Sequence, residues 1–289
     1  MGGLIGACLA RAGASVTLVV RPEALAGYPA TLRLESAFGN FEIPVDRAAE
    51  VPACDVLWIT TKATQLDAAM KAVTQPEAIG AIVPLLNGID HVARLRETFG
   101  LDRVIAATIG VESERVAPGR IVHRSPWARL NVSSAGQPRL DTTAQMLQGA
   151  GFEWKYFDDE PTLLWSKLVF LGPVALATTA TNLTVGGIAA DAMRKAELDA
   201  CVREAVAVGV AEGAKLDAGK TLAVIAGMPA PMRSSMQKDV TQGKEPELDA
   251  IAGPIVRGAR RHGIAIPATA QLVEAVERRA GNAKSLLGL

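Results

Sequence analysis

Met1-Gly2-Gly3-Leu4-Ile5-Gly6 opens the chain, followed by an alanine-rich amphipathic stretch to Gly13 and the apolar run SVTLVV at 15–20. The order reads as a glycine turn entering a helix and then a strand. In the fingerprint Gly-x-Gly-x-x-Gly, the second glycine lets backbone approach a pyrophosphate and the third lets helix pack on strand. Gly3 and Gly6 stand at those two spacings, and Met1 takes the place of the first glycine. The strand that leads into such a turn has no residues in this chain. We expect the bases upstream of the Met1 codon to encode it in frame, and the 289 residues alone to hold a dinucleotide poorly. A glycine pair three apart also arises by chance among 27 glycines, so the rest of the βαβ spacing carries the reading.

Outward from this turn, short apolar runs alternate with helical patterns. The runs at 15–20, 56–60, 81–86 and 104–111 are aliphatic or β-branched and bounded by turn residues, as buried parallel strands are. Segments 66–73 and 92–99 carry helical spacing between them, and 121–123 and 128–133 read as later strands ending the domain. From 160 onward the pattern is helical, at 162–180, 189–212, 222–226, 248–262 and 269–280. The fold class expected is α/β, a doubly wound sheet short of its first strand, followed by an all-helical domain. The domains are placed at 1–158 and 159–289, and a cleft between them is the default place for substrate.

Thirty basic and thirty acidic residues cancel, with no dense Lys/Arg cluster. Phosphate-backbone and membrane-surface binding need concentrated positive charge, so neither nucleic acid nor membrane is expected as a partner. The runs at 81–86 and 104–111 are too short to cross a bilayer, and no transmembrane helix is expected. Cys8, Cys54 and Cys201 are scattered and lack metal spacing, as do His91, His123 and His262, so no metal site is expected. With no signal-peptide order at the N-terminus, a cytoplasmic location is expected. The helical half could supply a homodimer interface.

Several positions have chemistry to offer. The run 15–20 ends at Arg21, where NAD-preferring folds carry an acid for the ribose 2'-hydroxyl; an arginine suits the 2'-phosphate of NADP, or is a solvated charge. The next strands end in Thr61-Lys62-Ala63-Thr64-Gln65 and in Asn87-Gly88, facing the crevice where ligands bind in such folds, although Asn87-Gly88 also reads as a plain turn. Lys167 stands alone in the apolar Trp165-Ser166-Lys167-Leu168-Val169. It either snorkels to water or is a desolvated, paired proton donor. Ser234-Ser235-Met236 precedes Glu245-Pro246-Glu247-Leu248-Asp249, whose carboxylates are sufficiently explained by a helix N-terminus.

Together these segments resemble the ketopantoate reductase (2-dehydropantoate 2-reductase) family over essentially the whole chain. The motifs are the glycine loop, Thr-Lys-Ala-x-Gln at 61–65, Asn87-Gly88, Trp-x-Lys at 165–167, Ser-Ser-Met at 234–236, Glu-Leu-Asp at 247–249 and His-Gly-Ile-Ala-Ile-Pro at 262–267. The resemblance implies a Rossmann domain joined to a helical domain, reducing a 2-oxo acid with NADPH. It implies that Gly3, Leu4, Ile5, Gly6, Arg21, Lys62, Gln65 and Asn87 serve the NADP(H) site. It implies further that Lys167 and Glu247 are catalytic, and that Asn87, Ser235 and Glu247 contact substrate. Pantoate-forming members carry asparagines four and eight residues after the catalytic lysine; here Leu171 and Ala175 stand there. That departure points to a less polar oxo acid, and a paralogue on another substrate or a catalytically weakened nucleotide-binding protein stays open as an alternative.

Overall fold

A computed structural model describes residues 1–281 and 286–288. The chain forms two compact units, one of Met1–Leu86 with His91–Asp158 and the other of Asn87–Asp90 with Asp159–Leu289. The four residues Asn87–Asp90 thus leave the first unit, inside whose span they fall in the sequence.

The first unit runs α1 (Gly2–Arg11), β1 (Thr17–Val19), α2 (Pro22–Leu25), β2 (Thr31–Glu35), β3 (Phe41–Pro44), β4 (Asp46–Ala48), β5 (Cys54–Ile59), α3 (Leu66–Lys71), β6 (Ile79–Pro84), α4 (Asp90–Phe99), β7 (Ala107–Gly110), β8 (Ser113–Ala117), β9 (Arg120–His123), β10 (Arg129–Ser133), α5 (Gln137–Gly149) and β11 (Glu153–Phe157). The first residue of α4 belongs to the other unit. β1 pairs in parallel with β4, and β5 in parallel with β6, where Ile82 also bridges Val104. β10 lies between β11, parallel to it, and β7, antiparallel. β3, β2, β9 and β8 form a four-stranded sheet whose inner pair is parallel and whose outer pairs are antiparallel.

Apolar side chains from these elements make one core, with Leu4, Ile5, Leu32, Leu34, Leu130, Leu140 and Leu147 at most 1% exposed. β6 buries every residue except Gly80, as a parallel strand covered on both faces should. β1 buries none of its three residues and β5 buries Ile59 alone. The run expected at 104–111 keeps strand geometry over Ala107–Gly110, with Val104 as a single bridge. The sequence reading omits α2, β2, β3, β4, β8, β11 and α5. These elements are short or polar: β8 is exposed along most of its length, and α5 buries just Leu140, Ala144 and Leu147.

The second unit contains α6 (Glu160–Thr181), α7 (Val185–Ala190), α8 (Ala192–Ala211), α9 (Ala218–Ala226), α10 (Ser235–Thr241), α11 (Leu248–His262) and α12 (Pro267–Ala280). Side-chain caps explain where most of them start. Asp159, Thr184, Asp191, Asp217 and Ser234 each accept a backbone N–H from the first turn of α6, α7, α8, α9 and α10. The single helix expected over 189–212 breaks for this reason: Asp191 turns from the end of α7 and caps α8 through Met193 N and Arg194 N at 3.0 and 3.1 Å. The start of α12 is held from a distance by the Glu204 carboxylate, which accepts from Ala268 N, Thr269 N and Thr269 Oγ1 at 2.7–2.8 Å. α11 ends at Gly263, whose φ of 63° is the left-handed conformation glycine adopts without strain.

The longest apolar helix is α6, long and apolar enough by length and composition to cross a membrane; the shorter runs weighed in the sequence are not. Its apolarity has a core origin, because 67% of its most apolar window is buried. Trp165, Leu168, Val169, Val174 and Leu176 pack into one cluster with residues of α8, α11 and α12.

Candidate active site

In the helical unit three polar side chains meet where an apolar core would otherwise continue. Lys167 lies on α6 between the buried Trp165 and Leu168. Its Nζ donates to Asn87 Oδ1 at 3.4 Å, and Asn87 Nδ2 donates to Glu247 Oε2 at 3.1 Å. Glu247 is the residue before α11 and is 7% exposed. The Asn87 amide therefore bridges a cation and a carboxylate, presenting its acceptor to the donor and its donor to the acceptor. Burial pushes the Lys167 ammonium down to about 8, and the Glu247 charge opposes that fall. The snorkelling alternative for Lys167 gives way to a side chain held by partners.

The position of Asn87 follows from its neighbours. Gly88 has a φ of 82°, and a Cβ there would run into the carbonyl of Ala250 on α11. Two residues on, Asp90 accepts from Arg257 Nε at 3.1 Å and from its terminal nitrogen at 2.5 Å, and Arg257 also pairs with Asp249 at 2.6 Å. The 87–90 segment is thus fastened to α11 at both ends. Sequence reasoning did not find this fastening. Its one legible trace is the spacing of Asp249 and Arg257, eight apart and so on one helix face.

Ser235 stands apart from the Lys167, Asn87 and Glu247 group: it is exposed in the first turn of α10. Its neighbour Ser234 is buried, accepts from Gln237 N at 3.1 Å and bonds Thr178 Oγ1 at 2.8 Å. Leu171 and Ala175 follow Lys167 along α6, Ala175 being 1% exposed.

In the first unit, the start of α1 meets the requirements of a phosphate-binding turn in part. Leu4 and Ile5 are at most 1% exposed, and their amides donate to Met1 O at 2.9 and 3.1 Å. These two amides are therefore already engaged within α1. The amides of Gly2 and Gly3 come before any possible intrahelical acceptor and are the ones left for a ligand. A Cβ on Gly3 would crowd the Ile121 side chain at 2.7 Å, and one on Gly2 would meet Thr60 Oγ1 at 2.5 Å. At Gly6 the nearest atom, on Val16, is 3.4 Å away, an ordinary contact, so the close packing falls on Gly2 and Gly3 instead.

Arg21, exposed just past β1, lines one cavity together with Gly2, Thr60, Thr61 and Gln65. The cavity is about 670 Å³. Thr61 Oγ1 is buried without a hydrogen-bond partner, a polar atom left for a ligand. Lys62 is half-buried at the start of the 63–65 turn. Glycine cradle, orphan hydroxyl and strand-end arginine fit a nicotinamide dinucleotide in kind. The cysteines are free, and burial pushes the thiols up to about 11 at Cys8 and about 12 at Cys201, which removes these two as nucleophiles.

Known proteins resemble this chain along most of its length. The model of the ketopantoate reductase PanE/ApbA family matches residues 1–137, and that of the family's C-terminal part matches residues 162–280. The 2-dehydropantoate 2-reductase of Caulobacter vibrioides is 35% identical over 226 residues, 76% of this chain and 75% of the relative. The crystal structure of a PanE/ApbA family ketopantoate reductase from Ralstonia eutropha JMP134 superposes with a TM-score of 0.83 at 27% identity, covering 96% of this chain and 94% of the other. D-mandelate dehydrogenase, solved with NADH and anilino(oxo)acetate, shares the fold at a TM-score of 0.85 and 18% identity, over 97% and 95% of the two chains. The chain belongs to the ketopantoate reductase PanE/ApbA family.

Proposed function

We propose that this chain is an NADPH-dependent 2-oxo acid reductase with Lys167 as its proton donor. The observation that carries the reading is the Lys167, Asn87 and Glu247 group, a cation kept in a desolvated place by an amide and a carboxylate. A nicotinamide cofactor, when bound, supplies the hydride. Lys167 hydrogen-bonds the carbonyl oxygen of the substrate and gives its Nζ proton as that oxygen becomes an alkoxide. A charge already oriented by Asn87 need not reorganise during the reaction, which is where electrostatic catalysis gains most. Glu247 keeps the ammonium form populated, and Asn87 fixes the direction of the N–H bonds. Ser235, exposed on α10, is assigned to the substrate carboxylate. The Gly2 and Gly3 amides take the pyrophosphate, Lys62 and Gln65 border the cofactor, and Arg21 pairs with the 2'-phosphate that distinguishes NADPH from NADH.

The substrate of the family's name, ketopantoate, would place the enzyme in pantothenate synthesis. A second reading is favoured by Leu171 and Ala175: neither bonds a distal hydroxyl, so a less polar 2-oxo acid fits better. Steady-state reduction of ketopantoate, 2-oxoisovalerate and an aryl 2-oxo acid, followed by loss of the reduced-nicotinamide absorbance with each cofactor, decides both points. The less polar reading is refuted by turnover of ketopantoate far above that of 2-oxoisovalerate. The cofactor reading is refuted by equal kcat/KM with NADH.

A further inference from the structure

Two consecutive residues inside α11, Gly253 and Pro254, are the two poorest helix formers, and both are buried. Each of them has a counterpart in the 87–90 segment. Proline has no N–H, so the Ala250 carbonyl, four residues before Pro254, receives no helical bond from that position. It is this carbonyl that Gly88 packs against.

Gly253 lies midway between Asp249 and Arg257 at steps of four residues, so the three share one face of α11. The nearest atoms to a Cβ on Gly253 belong to those two side chains: Asp249 Oδ1 at 2.5 Å, Arg257 Cζ at 2.7 Å and Arg257 Nη2. The guanidinium therefore lies across the helix in the space that a side chain at 253 would take. From there Nη1 reaches Asp249 Oδ1 at 2.6 Å, while Nε and Nη2 reach Asp90 Oδ2 at 3.1 and 2.5 Å. Asp90 is three residues from Asn87, whose own bond from Lys167 Nζ has little slack. At 3.4 Å it is near the limit of a hydrogen bond, and a displacement of a few tenths of an ångström ends it. The Arg257, Asp90 and Asp249 side chains are 39%, 52% and 72% exposed, and ion pairs so open to water add little stability. Placing a loop accounts for the glycine and the proline where stabilisation does not.

We propose that Gly253, Pro254 and Arg257 form a receptor for the 87–90 segment, with Arg257 as a positioning residue that sets the Asn87 amide against Lys167. The inference deepens the reductase reading and rests on it for the effect on turnover.

The test uses the whole chain, with NADPH and whichever of ketopantoate and 2-oxoisovalerate it reduces faster. Arg257→Gln should lower kcat about 10- to 100-fold, as a misplacement of about 1 Å does, and move the thermal midpoint by no more than about 4 °C. Gly253→Ala displaces the ends of two flexible side chains and spares the core. A glycine without a role would give a higher midpoint and an unchanged kcat there, since alanine is the better helix former; the receptor predicts a lower kcat. In an Asn87→Ala background, Arg257→Gln should change the remaining kcat less than about twofold, because its route to Lys167 is gone. A fold weakened in general would still lose activity. The side-chain amide signals of Asn87, identified by their loss in Asn87→Ala, should shift in both single variants and exchange with water several-fold faster. Unchanged kcat in both single variants, a full effect of Arg257→Gln without Asn87, or unmoved Asn87 signals would each overturn the proposal. A parent chain that reduces no 2-oxo acid would sink the reductase reading instead, and the Asn87 signals would still decide for or against the receptor.

Discussion

The proposed role of proton donor sets two opposing demands on Lys167. Proton donation needs the ammonium, and burial favours the amine; with a value of about 8, the side chain stays mostly charged at neutral pH and yields its proton readily. Turnover in the reductive direction should therefore fall as pH rises through about 8. Lys167→Ala should lower kcat by about 100-fold or more while cofactor affinity is kept; unchanged turnover would refute the assignment. Glu247 is what holds the value up, so Glu247→Gln should move the alkaline limb of the kcat profile to lower pH, and an unmoved limb would refute the coupling. The same shift has a sign for stability. The unfolded chain keeps the lysine proton up to about 10.5, the native one releases it near 8, so between these values the unfolded state binds more protons and native stability rises with pH. The gain in stability of Lys167→Met over the parent should be largest below pH 8 and shrink toward pH 10.5, as urea unfolding would show.

At the scale of elements, Gly88 and Ser234 hold segments in place. Gly88→Ala sets a side chain in left-handed backbone and against the Ala250 carbonyl, so it should cost both stability and kcat, because Asn87 moves with it. Ser234→Ala removes the α10 cap and a partner of Thr178, for about 1–2 kcal/mol by chemical denaturation, whereas Ser235→Ala should leave stability unchanged and raise KM. These two neighbours show how far a sequence can be read. The Ser-Ser pair and the α11 boundaries at 248–262 are visible in the letters, because caps and helical periodicity are local properties. Which serine is buried depends on Thr178, 56 residues away, and no local pattern carries that. β4 and β8 escape the reading for the same reason: Asp-Arg-Ala and Ser-Glu-Arg-Val-Ala are strands by virtue of their partners, and polar sequences give no periodic signal. Lys167 is conspicuous in the letters as one lysine in an apolar helix, but its link to Glu247 through Asn87 needed coordinates.

Across the molecule, hydrophobic residues collect in two separate cores, one in each unit. Within the first, protection should be uneven: amides of β6 and β10, whose residues are largely buried, should exchange far more slowly than those of β1 and β5. Equal rates across the four strands would contradict this difference in burial. The excursion of Asn87–Asp90 into the helical unit has a different kind of consequence. The helical unit owes one of its three site side chains to a loop encoded about seventy residues before α6, so no single cut in the gene separates the two units cleanly. A recombinant piece beginning at Asp159 would retain Lys167 and Glu247 without the amide that joins them. Exchanging cofactor domains between relatives would likewise replace Asn87, Gly88 and Asp90 along with the nucleotide fold. Such chimeras therefore have to match at Arg257 and Ala250 as well as at the crossover point, a constraint on modular inheritance imposed by four residues.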